Sequence, residues 1–158
     1  MSNFASKIEL DVKGTVTIRH FRGDVETGTL ISEETKDNLV VLSGKSYIAS
    51  RLLNALNASY GTDLYQIEIG SGVTAPSLSD TALGSSLGSA TFASAPTISG
   101  NTVTFTANFP AGTGTGAVTE AGIFNNDSTP KMFNRVVFPV KNKGSNDSIQ
   151  IVWAITIV

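Results

Sequence analysis

Alternation of apolar and polar residues is the dominant pattern in this chain. It is clearest over residues 102–109, TVTFTANF, and residues 149–157, IQIVWAITI, in which every second residue is apolar. A period of two is typical of strands with one face on the core and one face toward solvent. Weaker patterns over residues 64–69, 117–125 and 131–140 predict three more strands. Strands do not alternate regularly with helices, so the pattern predicts an antiparallel sandwich or barrel.

The N-terminal part of the chain predicts two hairpins. Apolar residues alternate over residues 8–18 with Gly14 in the middle, which we interpret as two strands joined by a turn. A second pair, residues 25–32 and 38–42, is separated by the charged stretch EETKD, which predicts another turn.

One segment has helical spacing. Ile48, Leu52, Ala55 and Leu56 recur at intervals of three and four residues, and the glycine of NASYGTD ends the pattern. The predicted fold class is therefore all-β, an antiparallel, jelly-roll-like β-sandwich with one short helix near residues 44–57. We expect a single domain over residues 1–158. Within it, the hairpins of residues 1–37 are a candidate attachment segment, and residues 38–158 form the helix plus the sandwich.

The start of this helix resembles half of a phosphate-binding loop. Gly44 is followed by Lys45 and Ser46, but Leu39 stands where the motif G-x-x-x-x-G-K-[ST] requires its first glycine. A strand that runs up to Gly44 leaves no slack chain to wrap a phosphate. We therefore interpret the stretch as a turn and a helix start, capped by Ser43 or Gly44, with Lys45 toward solvent.

Composition excludes several classes of function. The 158 residues contain no cysteine, which rules out thiolate chemistry and Cys-based zinc sites. The net charge is −2 and only 15% of residues are charged, so we expect no nucleic-acid partner and no binding to an anionic membrane. No apolar run approaches the roughly 20 residues of a membrane span.

Few residues suggest chemistry. The single histidine, His20, has no acidic partner at ligand spacing, and no G-x-S-x-G elbow places a nucleophile. We expect no catalytic residue, no metal site and no cofactor, and we expect the chain not to be an enzyme. The lone G-x-G of IGSG, residues 69–72, precedes a proline-containing segment rather than a helix, so we interpret it as a turn whose glycines have positive φ.

Two positions suggest a structural role instead. Glu120 falls among apolar residues on a strand that enters the core, and a buried carboxylate needs a partner, for which Arg135 on the next strand is the candidate. Trp153 occupies the centre of the apolar face of the last strand. Residues 70–88 predict a long, ordered surface loop pinned by Leu78, Leu83 and Leu87.

The order of these stretches resembles a known family. YQIEIGSGVTAPSLSDTAL, VTFTANFP, TEAGIFN and the final RVVFPVKNKGSNDSIQIVWAITI resemble the domain of tail-collar fibre proteins of tailed bacteriophages and of many small phage virion proteins. NLVVLSGKSYIASRLL resembles the strand, glycine and helix that usually precede that domain. The resemblance covers residues 38–158 and does not extend to residues 1–37.

The resemblance implies a bacteriophage virion structural protein, most specifically a small tail, collar or fibre-attachment component located in the virion and assembled in the host cytoplasm. A capsid decoration protein is the first alternative, and a carbohydrate-binding sandwich is the second. We expect other virion proteins as partners and a homo-oligomer, a trimer if the chain is fibre-like. The N-terminal charges beside apolar positions are the interface candidates: Arg19, Arg22, Asp24 and Glu26.

We predict that the Gly-Lys-Ser stretch binds no nucleotide. Replacing Lys45 by Ala should change the free energy of unfolding by less than about 0.5 kcal/mol, since the predicted position is on the surface. Calorimetric titration with ATP or GTP and Mg²⁺ should show no binding. Micromolar binding that Lys45→Ala abolishes would contradict this prediction.

Overall fold

The computed structural model describes residues 11–52 and 63–158. They form nine strands and one helix, and each pair of neighbouring strands is antiparallel. The elements are β1 (Val12–Arg22), β2 (Thr29–Val40), α1 (Leu42–Leu52), β3 (Leu64–Gly70), β4 (Ser86–Thr91), β5 (Thr97–Ser99), β6 (Thr102–Phe109), β7 (Gly116–Asn125), β8 (Met132–Lys143) and β9 (Asp147–Ile157). The sheet order is β4-β3-β7-β8-β2-β1-β9-β6-β5. The predicted all-β class is confirmed.

The sheet curls around one main core. Strands from both ends of the order supply buried residues to a single cluster that includes Ile67, Phe105 and Trp153. A bridge between Phe92 and Ala107 brings the chain after β4 against β6. The two faces of the predicted sandwich therefore belong to one sheet, whose halves join where β2 meets β8. That join consists of two residue pairs, Leu39 with Arg135 and Val40 with Asn134.

The helix begins at Leu42, two residues before the predicted start, and residues 53–57 of the predicted helix lie outside the described residues. Ser43 and Gly44 both lie inside the helix, so the expected cap at Ser43 or Gly44 is wrong. Ser43 Oγ instead donates a hydrogen bond to Met132 O. Gly44 is buried, and a methyl group there would collide with Phe133 O of β8. The glycine thus allows close packing of α1 on β8, while Lys45 is exposed as predicted.

The predicted N-terminal turns are wrong. β1 passes through Gly14 without a turn, and β2 passes through residues 33–37 without a turn, so the two strands form one hairpin whose connection is residues 23–28. Gly14 lies opposite Asn38, whose side chain occupies the space that a Cβ would need. The charges of EETKD alternate between the two faces of β2: Glu33 bonds to Arg19 and Glu34 to Lys141 across the strands.

The boundary predicted after residue 37 has no structural counterpart. It cuts β2, and β1 lies between β2 and β9, paired with β9 from Val12 to Arg22. Val16 and Ile18 are fully buried in the common core. The hairpin is therefore an integral part of the sheet rather than a separable segment, because its inner face completes the core.

We predict that Trp153→Ala destabilises the fold strongly. Trp153 is fully buried and its Nε1 donates to Asn38 Oδ1 at 3.0 Å. The loss should be about 3 to 5 kcal/mol, which lowers the melting temperature of a chain of this size by roughly 6 to 20 °C. Ile98→Ala is the control, since Ile98 is 74% exposed on β5. Equal melting temperatures for the two variants would show that Trp153 is not a core residue.

We also predict that a chain without residues 1–37 does not fold. The deletion removes β1 and most of β2, so β9 loses one of its two neighbours and the core loses Val16 and Ile18. Circular dichroism should show no cooperative thermal transition. A truncated chain that keeps a strand spectrum and melts cooperatively would contradict the central position of the hairpin.

Candidate functional site

The structure brings Glu120 and Arg135 together, as the sequence analysis expects. They lie on the adjacent strands β7 and β8, and Arg135 donates from Nε at 2.9 Å and from Nη2 at 2.7 Å to Glu120 Oε2. The side chains are 0% and 3% exposed. A buried carboxylate of this kind is stable because a guanidinium supplies both opposite charge and two directed donors.

The remaining bonds of Glu120 come from the backbone of residues 71–85, the loop between β3 and β4. Gly72 N and Ser85 N donate to Oε1 at 2.7 and 2.9 Å, and Gly84 N donates to Oε2 at 3.0 Å. Five donors thus surround one carboxylate, which we call the Glu120 cluster. Both ends of the loop are fixed to the same side chain.

The glycines of this cluster explain the Ile-Gly-Ser-Gly motif. A Cβ on Gly70 or Gly72 would collide with the carboxylate of Glu120, and one on Gly84 would lie 3.2 Å from Gly72 Cα. Neither Gly70 nor Gly72 has positive φ, so the prediction about their backbone is wrong. These positions need glycine for space rather than for a turn.

Arg135 also holds the middle of the loop. Its Nη1 donates to Asp80 Oδ2 at 2.7 Å, and the same oxygen accepts from Ser77 N at 2.9 Å. Leu42 N at the start of α1 donates to Leu78 O at 2.9 Å. A charged network that the sequence analysis did not predict therefore anchors the loop, in addition to the packing of Leu83.

The leucines of the loop differ from one another. Leu83 packs against the small cluster of Val41, Phe124 and Met132, whereas Leu78 is exposed, contrary to the prediction. Leu87 packs on the main core, but it lies in β4. The predicted loop of residues 70–88 thus ends at residue 85, because β4 pairs with β3 from Ser86 onward.

The electrostatics of the cluster favour the ionised forms. Burial by itself would raise the pKa of Glu120, but the hydrogen bonds from Ser85, Gly84, Arg135 and Gly72 outweigh it and hold the pKa below its usual value. Burial likewise opposes the lowered pKa of Asp80, which the Ser77 amide and Arg135 produce. Burial would lower the pKa of Arg135, whereas its two carboxylate partners raise it. The charged groups of the Glu120 cluster are therefore ionised, and they are bonded to one another.

The interface candidates do not form one patch. Arg19 bonds to Glu33 Oε2 at 2.6 Å and to Gln150 Oε1 at 3.1 Å, in the middle of β1. Arg22 ends β1 with its side chain 79% exposed, and Asp24 and Glu26 are exposed in the connection between β1 and β2. Three of the four thus lie at one end of the hairpin.

The sequence analysis does not predict a second buried pair, His20 with Asp147. His20 Nε2 lies 3.0 Å from Asp147 Oδ2, which also accepts from Gly144 N at 2.9 Å. The Gly144 amide and His20 lower the pKa of Asp147, against the effect of burial. Lys143 is buried nearby, where burial lowers its pKa, and it donates to Pro110 O at 2.9 Å. His20 and Asp147 are 127 residues apart in the sequence, so their pairing is evident only from the register of β1 on β9.

Two further results concern the described part of the chain. Residues 11–52 and 63–158 contain no group of three or more His, Asp or Glu side chains placed to hold a metal ion. In these same ranges, no helix has the length and apolarity needed to cross a membrane.

We predict that Glu120→Gln costs about 3 to 5 kcal/mol of folding free energy, the usual loss when one partner of a buried ion pair is removed. The amide nitrogen would face donors instead of accepting from them. Glu33→Gln is the matched control: it breaks the exposed Arg19–Glu33 pair, which should contribute less than about 1 kcal/mol. Urea unfolding at pH 7 measures both variants. Equal losses would contradict the assigned importance of the cluster.

The difference in stability between the native chain and Glu120→Gln should depend on pH. Because the pKa of Glu120 is lower in the folded state, its stabilising effect is complete above about pH 4.3, the pKa of an unperturbed Glu, and is lost as the pH falls through the folded-state value. Unfolding free energies measured from pH 7 to pH 3 should therefore converge at the acid end. A constant difference over this range would argue against an ionised Glu120.

Comparison with known proteins finds no match to this chain among protein-family models, curated proteins or solved structures.

Proposed function

We propose that this chain is a structural subunit of a tailed-bacteriophage particle, in the tail, the collar or the attachment of a fibre. One observation carries the proposal: stretches far apart in the sequence that give the phage resemblance meet in the Glu120 cluster. Gly70 and Gly72 come from IGSG, Glu120 from TEAGIFN and Arg135 from the RVVFPV stretch. The resemblance thus rests on residues that depend on one another physically.

The chemistry of the cluster fits a structural role. The carboxylate of Glu120 accepts five hydrogen bonds and is shielded from solvent, which leaves no free oxygen to act as a base or a nucleophile. The same bonds fix the loop of residues 71–85 in one shape. A subunit that contacts neighbours by shape needs such fixed surface loops, so we assign the chain no catalytic role and expect virion proteins as its partners.

The proposal also includes self-assembly. Virion proteins of this kind work in multiple copies, and we propose a homo-oligomer, a trimer where the chain joins a fibre. Light scattering coupled to size-exclusion chromatography measures the mass in solution. A monomer at high protein concentration would reject self-assembly of the isolated chain without rejecting its place in the particle.

Mass spectrometry and cryo-EM of purified particles test the function itself. We expect the chain in density-gradient-purified particles in a fixed number of copies, with its curled sheet visible in the tail or collar region of the map. Density on the capsid shell would replace the proposal by the decoration role. A chain that is present in the infected-cell lysate and absent from the particles would overturn the virion function.

A further inference from the structure

β2 is central in the sheet order, yet much of it has a neighbour on one side only. Residues 29–38 pair with β1 except for Ile31, where the register shifts at a β-bulge or irregularity. Pairing with β8 is limited to Leu39 and Val40 in the part of the chain that the structure describes. β8 continues beside β2 without forming a ladder, and its Pro139 has no N–H to donate. One long edge of β2 therefore remains open.

Charges protect part of this edge. Lys141 of β8 reaches Glu34 Oε2 at 2.9 Å, and Lys36 lies 3.4 Å from the other oxygen of Glu34. Charged side chains and ion pairs are common means of blocking an open edge. The protection covers the middle of β2, so residues 29–32 are left as the open portion, which we call the β2 edge.

The β2 edge has apolar surroundings. Leu30 and Ile31 of β2 and Val140 of β8 are each nearly half exposed. A cavity of about 330 Å³ adjoins both strands. Its apolar lining is Ile31 and Val140, and its polar lining comprises His20, Arg22, Ser32, Lys141, Asn142 and Asp147. An unpaired backbone edge beside exposed apolar side chains and a cavity is the arrangement that accepts an added strand.

The charges at the opening indicate the chemistry of that strand. Arg22 lines the same cavity with its side chain 79% exposed, and its Nε forms a long ion pair of 4.0 Å with Asp147 Oδ1. The other oxygen of Asp147 is bonded to His20 and to the amide of Gly144, and Glu34 is bonded to Lys141. The exposed guanidinium of Arg22 therefore favours a carboxylate on the incoming segment.

We propose that the β2 edge is a strand-addition site that takes an extended segment of a neighbouring virion protein, with apolar side chains at alternate positions and a carboxylate beside Arg22. Backbone hydrogen bonds to residues 29–32 hold the segment, and its apolar side chains pack against the exposed Leu30, Ile31 and Val140. The identity of the partner as a virion protein rests on the proposed function, whereas the binding itself is a property of the isolated chain.

A blocked peptide of sequence SVEVDVS is the probe for this site, with SVKVKVS as the charge-reversed control. Titration of the isotopically labelled chain, followed by backbone amide NMR shifts, should show saturable changes at residues 29–32. The control peptide should bind at least about tenfold more weakly, the effect of roughly 1.4 kcal/mol. A peptide with an N-methyl group on every amide should not bind, because neither of its edges has an N–H donor for the β2 edge.

Two variants sharpen the test. Ile31→Lys should abolish binding of SVEVDVS, while Ile98→Lys, at an exposed isoleucine on the terminal strand β5, should leave it unchanged. Arg22→Glu should reverse the preference between the two peptides, and circular dichroism checks that each variant is folded. Shifts outside residues 29–32, no shift at millimolar peptide, or equal loss in both isoleucine variants would overturn the proposal.

Two other outcomes would separate the binding site from the identity of its partner and from the proposed function. A dimer of the isolated chain that Ile31→Lys dissociates would show a second copy on the β2 edge and would replace the proposed partner. Absence of the chain from purified particles would remove the proposed function, while peptide binding would still report on the site.

Discussion

The carboxylate of Glu120 is buried inside the curled sheet. A buried charge is tolerated only when its surroundings supply hydrogen bonds and an opposite charge. Here Arg135 and three loop amides do so. This requirement determines much of what surrounds it. The loop of residues 71–85 has to return to the same carboxylate that it leaves, and Gly70 and Gly72 have to lack side chains where they approach it.

The cluster also lies at the weakest connection of the sheet. Arg135 is one of the two β8 residues that pair with β2, opposite Leu39. The helix follows β2 immediately and packs on β8, with the Tyr47 and Phe133 rings 5.9 Å apart in an edge-to-face arrangement. The loop reaches this helix through the Leu42–Leu78 bond. The Glu120 cluster, the loop and the helix therefore stabilise the connection between β2 and β8, which has only two residue pairs of its own.

The sequence predicts those parts of the fold that depend on local alternation or on one conspicuous residue. β6 and β9 follow from their period of two, and the Glu120–Arg135 pair follows from a carboxylate placed among apolar residues. The predictions fail where a residue acts through a distant partner. Gly14 indicates a turn in the sequence, but it makes room for Asn38 across the hairpin.

The turn predicted at the charged stretch of β2 is wrong for the same reason. EETKD has turn composition, yet its charges find partners on both neighbouring strands. Asp80 and His20 belong to the same class, because their partners Arg135 and Asp147 are 55 and 127 residues away. β4 has a weak pattern of small residues, and its strand conformation comes from pairing with β3.

Hydrogen exchange of the amides of Gly72, Gly84 and Ser85 tests the central claim most directly, since each of these N–H groups donates to the buried carboxylate of Glu120. If the Glu120 cluster holds the loop to the sheet, these three amides exchange only on global unfolding, as slowly as the amides of the core strands. Exchange at the rate of an exposed loop, while the core strands stay protected, would contradict the account.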